Sequence, residues 1–205
     1  MVTQKRKTKL KKHGRYRKCP ACDTVLYDSG FKLGNVDYPA PCCGASGEPR
    51  ILWPPLAVHP FLEIVENQDL SSDKERSIAI VFLCTAIELL MESSLWKLLG
   101  VHTKSRQLAE FVLENTWGKE RRIRLYNKLS DCPLGDLFKS KGIVTFLEDW
   151  DRLSKLRNDI VHGQYYSGGA NEADLIRSVY ANCLKAFAEI HNDVQRMLRL
   201  NATKV

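Results

Sequence analysis

The first eighteen residues contain no aspartate or glutamate, and beyond Pro60 the chain has a single proline, Pro133. These two absences divide the molecule. Lys5, Arg6, Lys7, Lys9, Lys11, Lys12, Arg15, Arg17 and Lys18 give residues 1–18 a charge of +9, while the other 187 residues carry 22 basic and 24 acidic side chains. The net +7 therefore describes a basic arm on a near-neutral globule, not a chain that is basic throughout. Seven of the eight prolines lie at or before Pro60. Long helices are disfavoured there, because proline lacks a backbone donor and its ring clashes with the preceding turn.

Long apolar runs are also missing. The longest charge-free stretch in the apolar centre covers residues 77–87, 11 positions, and a bilayer span needs about 20. No transmembrane helix or membrane partner is expected, and no apolar segment follows the basic start as it would in a signal peptide. Seven cysteines, an odd number at uneven spacing, argue against a secreted disulfide framework and for a reducing cytoplasm. No phosphate loop, dinucleotide-binding glycine pattern, nucleophile elbow or His-Glu-x-x-His sequence occurs.

What is present reads as four segments. Residues 1–18 form the basic arm, 19–48 a small cysteine module, 49–61 a proline-rich connector and 62–205 a helical domain. In the last of these, Ser72 and Glu75 fit a capping box, and the helix they open runs to Leu99 and stops at Gly100. Ser105 caps a second helix that breaks or bends near Gly118 and resumes to Leu129. A third runs from Ile143 to His162, ended by Gly163, and Asn171 caps a last helix reaching Leu200. In that last helix Ile176, Tyr180, Cys183, Phe187, Ile190, Val194 and Met197 alternate spacings of four and three, the packing seam of an antiparallel bundle. The fold class expected is mainly α, an up-and-down bundle behind a small cysteine module.

Cys19-Pro-Ala-Cys22 is half of a metal knuckle, and Cys42-Cys43-Gly44 follows about twenty residues later. Two thiolate pairs at this separation can converge on one structural Zn²⁺, which would stabilise a segment too small for a core. The arrangement resembles a zinc ribbon, except that Ala40 stands where the second knuckle would begin. Either Cys42 and Cys43 both ligate, or His13 replaces one of them. Four protein ligands leave no position open for catalysis, so no catalytic metal is expected. Cys84 and Cys183 lie in apolar stripes and read as small hydrophobes, and Cys132 has no assigned role. Glu63, Glu66 and Asp69 read as ordinary surface acids, and His59, His102 and His191 as solvated.

The third helix carries the most telling residues. Its apolar stripe runs Ile143, Phe146, Trp150, Leu153, then Arg157, then Ile160. A seam arginine needs a partner or a task, because an unpaired buried charge is costly. A structural partner would be Glu88 or Glu92. His162 follows five residues on, and Asn158 lies one turn before it on the same face. With 14 Arg and 5 His in the chain, bare Arg-x4-His spacing arises by chance roughly 0.3 times; requiring Asn after the Arg lowers that to roughly 0.015.

Arg157-Asn158-x3-His162, in the local text KLRNDIVHG, resembles the signature of the HEPN superfamily. The segment FLCTAIELLMESSL resembles the buried HEPN helix that carries an acidic residue toward the motif. The resemblance covers about residues 62–200 and excludes the cysteine module. It implies metal-independent RNA cleavage by a homodimer in which two motifs face each other. Arg157 would stabilise charge on the phosphorane, His162 would move the proton, Asn158 would orient either partner, and Glu88 would hold Arg157. Family habit further implies a toxin or defence effector restrained by an antitoxin or regulatory partner. The competing expectation is a non-catalytic module of the same fold that binds nucleic acid or a nucleotide and serves assembly.

Overall fold

The computed structural model describes residues 16–19, 21–28, 40–45, 51–164 and 169–202. A three-stranded antiparallel sheet forms from β1 (Tyr16–Lys18), β2 (Val25–Tyr27) and β3 (Ile51–Leu52), in the order β2-β1-β3. Arg17 sits opposite Leu26 on one side and Leu52 on the other. A 3₁₀ turn at Leu56–Val58 leads into seven helices: α1 (His59–Asn67), α2 (Asp73–His102), α3 (Arg106–Glu114), α4 (Lys119–Leu129), α5 (Leu134–Ser140), α6 (Phe146–Val161) and α7 (Ala170–Ala202).

The helices pack as a bundle whose hub is α2, which touches α1, α3, α4, α6 and α7. By length and composition α2 would suffice to cross a bilayer. Here its apolar residues, including Ile80, Leu83, Ile87, Met91, Leu95 and Leu98, are buried in the shared core. Each such side chain contributes roughly 1.5–3 kcal/mol by leaving water. All seven residues of the α7 seam are buried as the four-three spacing requires.

Helix ends follow the sequence in part. Ser72 is the N-cap of α2, but its side chain caps nothing, and the Glu75 carboxylate accepts from the Asp69 backbone N–H instead. The capping box is therefore not formed. Gly100 does not stop α2, which continues to His102 before Thr103 turns extended. Ser105 does cap α3, accepting from the Leu108 N–H at 3.2 Å. The break at Gly118 is real: its φ of 79°, a left-handed value open to glycine, starts α4 in a new direction. α6 begins at Phe146, later than Ile143, which is buried in the preceding turn. α7 begins at Ala170, so Asn171 lies inside it; Glu172 reaches back to accept from the Gly169 N–H. Two helices have no counterpart in the sequence reading. α5 is a seven-residue turn after Pro133, and α1 starts within the connector, with Pro60 in its first turn, where a missing N–H costs nothing.

One surface assignment fails. Glu66 is 9% exposed, and the Tyr180 hydroxyl donates to its carboxylate. The bond crosses from α7 to α1 and satisfies a carboxylate that the core would otherwise penalise. Tyr126 and Asp193 make the matching buried pair between α4 and α7, at 3.0 Å.

Candidate metal centre and candidate anion site

The cysteines are presented by two tight turns. In the first, Cys19 accepts from the Asp23 N–H at 2.8 Å and donates its own N–H to Thr24 at 2.9 Å. In the second, the Ala40 carbonyl accepts from Cys43 and Gly44, and Gly44 takes a φ of 73°. Backbone N–H groups thus close each turn and aim the thiols outward from it. The sulfurs converge: Cys19 to Cys43 is 3.7 Å, Cys22 to Cys42 is 3.3 Å and Cys42 to Cys43 is 3.9 Å. All four lie within 4.8 Å of one another. Tetrahedral zinc with Zn–S bonds of about 2.3 Å places its sulfurs about 3.8 Å apart, so the four thiols fit a structural metal site. Adjacent Cys42 and Cys43 both face it. Ala40, where a repeated spacing would put cysteine, is buried against Cys19. His13 lies outside the described residues.

The thiols are not equivalent. Burial opposes ionisation of Cys22, but hydrogen bonds from Thr24, Cys42 and Cys43 outweigh it and bring this thiol down to about 6. Burial first, and then its hydrogen bonds with Cys22 and Cys19, push Cys42 upward.

The cysteine turns are docked on the bundle by polar contacts that the sequence reading missed. Asn192 in α7 brackets Val25, accepting from its N–H at 2.7 Å and donating to its carbonyl at 3.0 Å. Arg199 donates to the Cys22 carbonyl and to Thr24. His191, expected to be solvated, is 4% exposed, with Nε2 2.8 Å from the Asp23 carbonyl and Nδ1 3.1 Å from Lys97 Nζ. A signal for its burial existed: His191 lies four residues after Phe187 and three before Val194, both seam positions. His59 and His102 also bond backbone carbonyls, of Pro54 and Leu129.

The second site lies at the end of α6. Phe146, Trp150 and Leu153 fill the core, and Arg157 continues their stripe half-buried. Its Nη1 donates to Asn158 Oδ1 at 3.1 Å, and its buried Nε has no partner. Neither expected acid pairs with it among the described residues. Glu92 binds Arg122 of α4 at 2.9 Å, and Glu88 is exposed, with its backbone carbonyl accepting from the same Arg122. Glu88 and Arg157 do meet electrostatically at one group. The Cys84 thiol between α2 and α6 is pushed up to about 12, first by burial and then by Glu88, with Arg157 pulling the other way. His162 is the exposed C-cap of α6, its backbone N–H bonded to the Asn158 carbonyl, and Gly163 turns the chain away at a φ of 70°.

Arg157 and Asn158 thus lie near the C-terminal end of α6 and His162 caps it, while Glu88 stands on the neighbouring helix without an ion pair to them. Comparison with protein-family models, with curated proteins and with solved structures returned no match.

Proposed function

We propose that the chain is a metal-independent endoribonuclease of HEPN type, acting as a homodimer and carrying a structural zinc ribbon. The observation that supports this most is Arg157. A half-buried guanidinium in a core seam, held by a neutral asparagine and left without a carboxylate, keeps its charge for an anion. A scissile phosphate is such an anion, and its developing phosphorane charge is what a bidentate arginine stabilises. His162, exposed one turn from Asn158, would exchange a proton with a 2′-hydroxyl or a leaving oxygen. The RNA supplies its own nucleophile: the 2′-oxygen attacks the adjacent phosphorus and the 5′-oxygen departs with a proton, leaving a 2′,3′-cyclic phosphate. Zinc on Cys19, Cys22, Cys42 and Cys43 would join the two turns and take no part in cleavage.

The test is incubation of the full chain with a mixed RNA pool in magnesium-free buffer containing EDTA, with zinc retained on the recovered protein measured in parallel. Fragments with 2′,3′-cyclic phosphate ends are expected. His162→Ala and Arg157→Leu should each lower the rate by about 10²–10⁴-fold, the usual contribution of such groups. Arg157→Leu should melt no lower than the parent, because it exchanges an incompletely bonded charge for an apolar side chain. Intact RNA at high concentration of zinc-loaded protein defeats the reading, and a monomer by light scattering defeats the paired-motif form of it. RNA bound and never cut favours the non-catalytic module.

A further inference from the structure

Positive charge collects a second time, between α2 and α5. Residues 103–130 hold seven cations against three acids, while the chain outside this segment and outside residues 1–18 holds 15 basic and 21 acidic side chains. Some of these cations are neutralised. Arg106 pairs with Glu110 and Arg122 with Glu92, both at 2.9 Å, and Lys119 pairs with Asp151. Arg121, Arg124 and Lys128 are different. They stand at i, i+3 and i+7 on the exposed face of α4, opposite Tyr126, which is buried. Among the described residues none of the three meets an acid, and the Arg124 Nε bonds only the Glu120 carbonyl of its own helix, at 3.4 Å. The row spans about 10 Å at 1.5 Å per residue.

Two aromatic rings stand at the entrance to this helix. Trp117, in the link 115–118 that joins α3 to α4, is 69% exposed, and Phe111, in the last turns of α3, is 62% exposed. Scattered exposed apolar residues need no account, but an open ring four residues before an unpaired basic row, with a second in the preceding helix, is a recognisable chemical combination. Cations along a line track a phosphate backbone, and open rings offer faces on which unpaired bases stack. An acidic peptide would use the cations and leave the rings idle. A duplex keeps its bases stacked on each other.

The start of α4 also packs on α6, the helix whose C-terminal end carries Arg157. Lys119, its first residue, reaches Asp151 of α6 and lies 5.8 Å from the centre of the Trp150 ring. Its charge acts on the same Cys84 thiol that Arg157 and Glu88 act on. We propose that the exposed face of α4, with Arg121, Arg124 and Lys128 as phosphate contacts and Trp117 and Phe111 as stacking platforms, binds single-stranded RNA. The choice of RNA over DNA rests on the ribonuclease reading; the face itself does not.

The test uses the full zinc-loaded chain carrying His162→Ala, so that no strand is consumed, and a fluorescein-labelled oligouridine read by anisotropy at several salt concentrations. Neutralising the row with R121Q/R124Q/K128Q should weaken binding at least tenfold. It should also reduce the salt slope by about 2, since each phosphate contact on a single strand contributes about 0.7. Trp117→Ala should weaken binding about 5- to 100-fold with the slope unchanged, and this loss should vanish when the strand is annealed to its complement. Circular dichroism melts confirm that each variant is folded. Parent-like affinity in both folded variants overturns the proposal. So does a row effect that is equal for oligouridine, duplex and polyglutamate with no effect of Trp117→Ala, because the face is then a general polyanion surface. Cleavage by the parent with binding intact in the row variant defeats this inference alone; binding lost in the row variant with no cleavage by the parent defeats the ribonuclease reading alone.

Discussion

His191 and Arg157 are both polar side chains on core-facing stripes, and the fold treats them oppositely. His191 is fully satisfied. A neutral imidazole has one donor and one acceptor, and here Nε2–H donates to the Asp23 carbonyl while Nδ1 accepts from Lys97. Burial first, and Lys97 second, lower its pKa to about 4 from an ordinary 6.5. The unfolded chain takes up this proton near pH 6.5 and the folded one resists it until about 4. The stability tied to the neutral form is therefore complete above about pH 6.5 and is lost as pH falls toward 4, on the order of 3 kcal/mol in all. Urea melts of the parent should lose stability between pH 7 and 4.5 more steeply than those of His191→Gln. Parallel losses in the two proteins exclude the histidine as the cause. Arg157 has no comparable set of partners: one bond to Asn158 and an unpartnered Nε, which is why the proposed function draws on it and not on His191.

At the scale of elements, the decisive contact joins α7 to β2. β2 is an outer strand, and the Asn192 side chain bonds both the N–H and the carbonyl of Val25, so a helix supplies the rung that a fourth strand would have supplied. Val25 and Trp53 belong to the same buried cluster as the helices, and Tyr16 packs on it. The cysteine turns are thereby held against the bundle instead of hanging from the connector. Asn192→Ala should destabilise this docking by about 1–3 kcal/mol, because it strands two backbone groups. Hydrogen exchange checks it: the Val25 amide should exchange faster while amides in the middle of α2 keep their protection. Equal acceleration in both places means that the contact supports the whole fold and not the docking.

For the whole molecule, the structure redraws the basic arm. Tyr16–Lys18 is the central strand of the sheet, Arg17 is 9% exposed, and Lys18 binds Asp23 at 2.7 Å. The arm that can serve a partner is therefore residues 1–15, with seven cations. Deleting it should leave the melting temperature unchanged and reduce the salt slope of RNA binding by as much as about 5, at about 0.7 per contact. A deletion beyond residue 15 should instead unfold the sheet. An unchanged slope after removal of 1–15 makes the arm a solvated tail. Outside residues 1–18 and 103–130 the chain is net acidic, with 15 basic and 21 acidic side chains, so long-range attraction for a polyanion should be concentrated in those two places.

The legible features were those written within one element. The α7 seam, the break at Gly118 and the Ser105 cap follow from helical periodicity and backbone sterics, which depend on neighbours a few residues away. The convergence of Cys19, Cys22, Cys42 and Cys43 followed from spacing, though only the fold shows that Cys43 joins Cys42 in it. Arg157, Asn158 and His162 were expected at the end of one helix, and α6 and its C-cap carry them. Their surroundings were not legible. Glu92, an expected partner of Arg157, is taken by Arg122 of α4; Glu66 and His191 look like surface groups and are buried by Tyr180 and by the cysteine turns. Each of these outcomes depends on which elements become neighbours. Spacing along a chain records what shares a face, and only packing decides what lies across from it.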